Sequence, residues 1–185
     1  MNKKSARTKQ KIEEALFALM QEQKYDDISV KEITEKAGVS RMAFYRNYRL
    51  KDDVLDGFIQ TEYDQFISDI SNHQLSQLEQ LLNVYFSYFK DNVNILNAIV
   101  NAGIEGIVLR KQTEYFREFF ESGITEKISF QDYDIAYYSG AVFSILLYWR
   151  ANGYHVSVDE LTSRMATKIK NDLDEKIGRR HNEEL

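Results

Sequence analysis

The sequence predicts an all-α protein with a small helix-turn-helix head over residues 1–50 and a larger helical body over residues 51–185. Three observations predict it. Apolar residues recur at helical spacing in nearly every segment, and no stretch alternates as a half-buried strand would. Proline is absent, so no ring and no missing N–H interrupts a helix. Two short cap-bounded segments near the N-terminus are separated only by Gly38-Val39, the layout of a helix-turn-helix.

Charge divides the chain at the same place. The net charge is −5, yet residues 1–51 carry 12 Lys/Arg against 7 Asp/Glu, leaving −10 for the rest. A basic head on an acidic body is the asymmetry expected when one end meets a polyanion. Cysteine is absent, which excludes disulfides and thiol chemistry. The basic N-terminus is not followed by the apolar run of a signal peptide. The longest apolar stretch, Ala141 to Trp149, is too short to span a bilayer. A cytoplasmic protein without membrane attachment is the expectation.

The elements follow in order. Ile12, Ala15, Leu16 and Leu19 form one stripe of a helix over Thr8–Gln23, and a polar turn, Lys24–Asp27, ends it. Ser29 and Glu32 have the spacing of a capping box, with Ile28 and Ile33 placed as a hydrophobic staple. This second helix meets Gly38, suited to the left-handed position after a helix. Ser40 is a good N-cap for a third helix reaching about Asn47. Its spacing turns Phe44 inward, places Val39 between the helices, and leaves Arg41, Met42, Tyr45 and Arg46 outside.

A long helix starts near Lys51, where Asp52 and Asp53 suit the positive end of its dipole. Its stripe runs through Leu55, Phe58, Ile59, Tyr63, Phe66 and Ile70, long enough to leave the head. Helical periodicity continues over Leu75–Phe89, Val93–Val100, Gly103–Phe120, Asp132–Ala151 and Ser157–Ile177. The last has a second capping box, Ser157 with Glu160, and an i+4 row of Leu161, Met165, Ile169, Leu173 and Ile177. Residues beyond Ile177 read as a frayed end.

Residues Ile28 to Leu55 resemble the DNA-binding signature of the TetR/AcrR family of transcriptional regulators. The carriers are Ala37-Gly38-Val39-Ser40, then Phe44-Tyr45, Tyr48 and Lys51-Asp52, with Ile12, Ala15, Leu16 and Phe17 in the preceding helix. Gly140, the Trp149 to Gly153 spacing and the capped last helix are similar to the C-terminal end of many members. Met42, Ala43, Tyr48 and Leu50 depart from the usual pattern, and the first two lie on the reading helix. The resemblance implies a three-helix DNA-binding domain followed by a helical-bundle ligand-binding and dimerisation domain. It further implies a homodimer through the last two helices, a palindromic double-stranded DNA operator and a small-molecule effector, with repression the commoner outcome.

DNA affinity rests on phosphate neutralisation and specificity on base edges. Expected phosphate contacts are the Tyr48 hydroxyl, Lys51, the backbone amides near Ser29 and Val30, and Lys3, Lys4 and Arg7. Expected base contacts are Ser40, Arg41, Met42, Ala43, Tyr45 and Arg46, with Arg41 able to fork onto guanine. For the effector, Tyr63, Phe66, Tyr85, Phe89 and Trp149 are candidate pocket walls. Aromatics at helical spacing are nonetheless more often plain core.

Two other classes compete. An enzyme would need machinery that is missing: there is no Gly-x-Ser-x-Gly elbow, no phosphate-binding Gly-x-x-x-x-Gly-Lys loop and no Gly-x-Gly-x-x-Gly. His73, His155 and His181 are far apart and form no metal motif, so no catalytic residue, metal or cofactor is expected. A helical small-molecule-binding or interaction protein that grips DNA only non-specifically would share the fold. Salt-sensitive binding without sequence preference would mark it.

Overall fold

The computed structural model describes residues 3–72, 78–121 and 131–183. Among them the elements are α1 Lys3–Met20, a 3₁₀ turn Tyr25–Asp27, α2 Val30–Ala37, α3 Arg41–Tyr45, α4 Lys51–Asn72, α5 Leu78–Asp91, α6 Val93–Ala102, α7 Glu105–Glu121, α8 Asp132–Ala151 and α9 Val158–Glu183. No strand occurs among the described residues, as the unbroken helical periodicity and the missing proline predict. The chain divides into two compact units, Met1–Ser68 with Asn92–Val108, and Asp69–Asp91 with Leu109–Leu185.

In the first unit, Ile12, Leu16, Met20, Ile28, Ile33, Phe44, Val54 and Leu55 are all but fully buried. Each such side chain stabilises by about 1.5–3 kcal/mol relative to exposure, enough together to order helices as short as α2 and α3. The expected capping box is made. The Ser29 N–H donates to Glu32 Oε2 at 2.9 Å, and Ser29 Oγ accepts the Glu32 N–H at 3.2 Å. Gly38 ends α2 at φ +64° with nothing near its missing Cβ, so backbone conformation alone demands glycine there.

Two helix ends in this unit differ from expectation. Leu50 cannot cap α4, and Asp53 does so from inside the helix, accepting the N–H groups of Arg49 at 2.7 Å and Leu50 at 2.9 Å. Gly103 closes α6 at φ +73°, receiving no part in α7, which starts two residues later at Glu105. The compact unit that holds the head also takes in α6, because α6 packs on α1. Gln21 Nε2 donates to the Asn94 carbonyl at 2.6 Å, and Asn101 Nδ2 to the Gln21 carbonyl at 3.2 Å.

The second unit buries Tyr85, Phe86, Phe143, Leu146, Trp149, Met165, Ala166 and Ile169. At its centre, Gln112 is fully buried. It accepts from the Tyr85 hydroxyl at 2.7 Å and donates to the Ser139 carbonyl at 3.0 Å, and Thr113 Oγ1 lies 2.9 Å from Ser139 Oγ. Trp149 donates its indole N–H to the Val156 carbonyl at 2.9 Å across the α8–α9 turn. The expected box at Ser157 is half made: Ser157 Oγ accepts the Glu160 N–H at 3.2 Å, while the Glu160 carboxylate pairs with Arg164 one turn on. Helical backbone continues past Ile177 to Glu183, further than a frayed tail would. The side chains of Phe66, Ile70, Leu173 and Ile177, and residues 75–77 of the expected fifth helix, lie outside the described residues.

Candidate nucleic-acid interface

The short α3 is held from both sides. Ser40 caps its start, accepting the Ala43 N–H at 3.1 Å. Phe44, fully buried, anchors its inner face and meets Tyr45 edge-on with ring centres 5.3 Å apart. At its end, Asn47 donates to the Ala43 carbonyl at 2.7 Å and accepts from the Ser5 hydroxyl at 2.7 Å, tying the first turns of α1 to the end of α3.

The outer face carries side chains that the fold does not use. Met42 is 74% exposed and Tyr45 58% exposed, and Arg41 and Arg46 are exposed beside them. Arg41 has no hydrogen bond or ion pair among the described residues. Arg46 commits only Nε, at 3.3 Å from the Met42 carbonyl. A two-cation face with an exposed thioether and phenol, on a helix braced from behind, can meet base edges, thymine methyls and phosphates.

The start of α2 is an anion-attracting helix end, but the capping box uses its first groups. The Ser29 N–H goes to Glu32, and Ser29 Oγ donates to Glu32 Oε2 at 2.6 Å while accepting the Glu32 N–H. These bonds hold the Glu32 carboxyl below the usual range, the Ser29 hydroxyl contributing most. Val30, the first helical residue, keeps an N–H with no partner inside the helix.

Two expected phosphate donors are turned inward. Tyr48 is buried, and its hydroxyl donates to Glu13 Oε1 at 2.5 Å. A phenol has one proton, and phosphate can only accept, so a phosphate bond requires giving up Glu13. Burial and then the Glu13 carboxylate push the phenol's pKa up, which keeps that proton in place. The Lys51 ammonium donates to the carbonyls of Tyr25 at 2.7 Å, Ile28 at 2.9 Å and Asp26 at 3.3 Å. The reason in both cases is long-range pairing that no local pattern announces: 35 residues separate Tyr48 from Glu13, and 26 separate Lys51 from Tyr25. Sequence reasoning also missed Glu13, Ser5 and Asn47. Only Asp53 had a local signal, an acidic residue at the third position of a helix.

The aromatic candidates for an effector site are packed. Tyr63 is buried in the first unit. Tyr85, Phe89 and Trp149 are buried in the second, where Tyr85 and Phe89 meet at 5.1 Å between ring centres and Phe86 meets Trp149 at 5.9 Å. The side chains of Phe66, Lys3 and Lys4, like His73 and the side chain of His181, lie outside the described residues. Among the described residues, no three His, Cys, Asp or Glu side chains gather as a metal would need. No helix among them is long and apolar enough to cross a membrane.

A capped α2, a left-handed glycine turn and a short α3 with an open outer face form a helix-turn-helix. Residues 12–57 match the family model for bacterial regulatory proteins of the tetR family. An HTH-type transcriptional regulator of Staphylococcus aureus is 25% identical over 126 residues, covering 65% of this chain and 68% of its own. The dhaKLM operon transcriptional activator DhaS of Lactococcus lactis is 32% identical over 80 residues, 43% of each chain. A TetR transcriptional regulator from Streptococcus agalactiae shares the fold, with a TM-score of 0.71 at 19% identity over 90% of this chain and 95% of its own.

Proposed function

We propose that the protein is a ligand-responsive repressor that binds a palindromic operator as a homodimer. The observation that carries the reading is the outer face of α3, where Arg41, Met42, Tyr45 and Arg46 point away from a braced core. Ser40, Ala43 and the Val30 amide complete the contact surface, Ala43 and Met42 against bases and Val30 against phosphate.

Support for the dimer comes from α8, where Tyr133, Tyr137 and Tyr148 are 67%, 62% and 70% exposed. With Ser144, also exposed, they share one helix face. Aromatic residues are enriched at interfaces, and such a row fits a second copy. Tyr137→Lys is expected to shift the protein from dimer to monomer in sedimentation at micromolar concentration; an unchanged dimer would place the interface elsewhere. Two heads held about 34–36 Å apart would reach successive major grooves. An effector in the second unit would lower operator affinity by preferring a different spacing of the heads.

DNA from beside the protein's own gene, against scrambled DNA at two salt concentrations, tests the reading. Selective binding of the first is expected, and Arg41→Ala should flatten preference at one base position by about 1–3 kcal/mol. Equal, salt-sensitive binding to both would instead favour a non-specific DNA-binding or interaction protein. The likeness to the activator DhaS favours one alternative sign, activation through the same geometry. A reporter behind the bound fragment, with the protein's gene deleted, separates the two.

A further inference from the structure

We propose that Met42 is an oxidation site through which a hydroperoxide weakens operator binding; this rests on the DNA-binding reading above.

A thioether must be reached by the oxidant before it can react. Met42 stands 74% exposed on the outer face of α3, whereas Met20 and Met165 are 0% and 5% exposed. Met1 lies outside the described residues. Cysteine is absent, so no thiol competes for the oxidant. The step is an oxygen-atom transfer from a hydroperoxide, of which hydrogen peroxide is the simplest. A sulfur lone pair attacks one peroxide oxygen, the O–O bond breaks, and a proton shift releases the other oxygen as water. Sulfur is oxidised to the sulfoxide, and the peroxide is reduced.

The product changes what α3 offers to DNA. A flexible apolar tip that can pack on a thymine methyl becomes polar and chiral. Its new oxygen can only accept hydrogen bonds, and it meets a groove where acceptors outnumber donors on every base pair. Arg46 is affected as well. It lies one turn on, folded back so that Nε donates to the Met42 carbonyl at 3.3 Å. Side chains four apart on a helix are neighbours, so the other guanidinium N–H groups can donate to the sulfoxide oxygen. A guanidinium held there is withdrawn from base and phosphate. The helix itself stays in place, since buried Phe44, the Ser40 cap and the Asn47 bond hold it.

Peroxide titration of the full chain reads the site and the DNA separately. Trypsin leaves Met42 in residues 42–46, Met20 in 12–24 and Met165 in 165–168. Under hydrogen peroxide the 42–46 peptide should gain one oxygen well before the other two. Operator affinity should fall roughly tenfold over the same doses, the size of one lost base contact. Methionine sulfoxide reductases should restore it. Met42→Leu, compared with its own untreated affinity, should not respond to those doses. Saturating operator should slow oxidation of the 42–46 peptide, and an unchanged rate would take Met42 off the interface and overturn the proposal. Oxidised Met42 with unchanged affinity would also overturn it, as would a Met42→Leu chain that loses affinity like the wild type. Equal oxidation of the three peptides would overturn it with no DNA present. An untreated chain that binds no DNA would instead overturn the reading on which the proposal rests.

Discussion

At the starts of α2, α3 and α4, capping side chains find partners within a turn: Glu32 for Ser29, Ala43 for Ser40, and the N–H groups of Arg49 and Leu50 for Asp53. At the centre of the second unit the pairing runs across helices instead. Gln112 on α7 joins Tyr85 on α5 and Ser139 on α8, each 27 residues away. Local pairs are cheap to form and mark helix boundaries, so they specify short elements one by one. Long-range pairs specify which helices meet. A buried polar group that loses such a partner has no water to turn to.

The largest effect should come from the aromatic packing of the second unit. Phe86 is fully buried, with its ring edge-on to both Tyr85 and Trp149. Phe86→Ala should cost about 3–5 kcal/mol. Denaturant unfolding followed by the fluorescence of Trp149, the chain's single tryptophan, reads that unit directly. A loss below about 1 kcal/mol would mean that the aromatic cluster is loosely packed and closer to a pocket wall than to a core.

Gln112→Ala comes next, at about 1–3 kcal/mol, since it removes the acceptor of the Tyr85 hydroxyl and the donor to the Ser139 carbonyl. Adding Tyr85→Phe should cost little more, because the hydroxyl that Gln112 accepted from goes with it. Strictly additive costs would show that Tyr85 and Gln112 are not coupled.

The same contrast explains what could be read before the structure. Ser29, Glu32, Gly38 and Ser40 announce α2 and α3 because caps act over three or four residues. Helical spacing placed Phe44 inside and Arg41 and Met42 outside, since burial of one helix face needs no knowledge of the partner. Tyr48 and Lys51, expected to meet phosphate, also bond partners 23 to 35 residues away that no local pattern announces. Gln112 gave no signal at all: a glutamine on an exposed-looking helix becomes the centre of a core only when α5 and α8 close around it. Cap chemistry is legible from spacing, and polar side chains that bridge helices are not.

The smallest expected effect lies in the head and has a pH dependence of known sign. Ser29→Ala removes one N-cap and should cost about 1 kcal/mol at neutral pH. It also removes the larger of the two Ser29 bonds, hydroxyl and backbone N–H, that hold the Glu32 carboxyl below its ordinary value of 4.5. A carboxyl that titrates lower in the folded chain than in the unfolded chain binds fewer protons when folded. Its contribution is therefore complete above 4.5 and drains as pH falls through the lowered value. The wild type has that contribution to lose and Ser29→Ala has less of it, so the stability gap between them should narrow as pH drops below 4.5. Asp53, held low by the Leu50 and Arg49 amides, is unchanged in both proteins and cancels from the comparison. A gap that stays constant through the acid range would show that Ser29 acts on the backbone alone. The bond between the two side chains would then contribute nothing to the stability of the head.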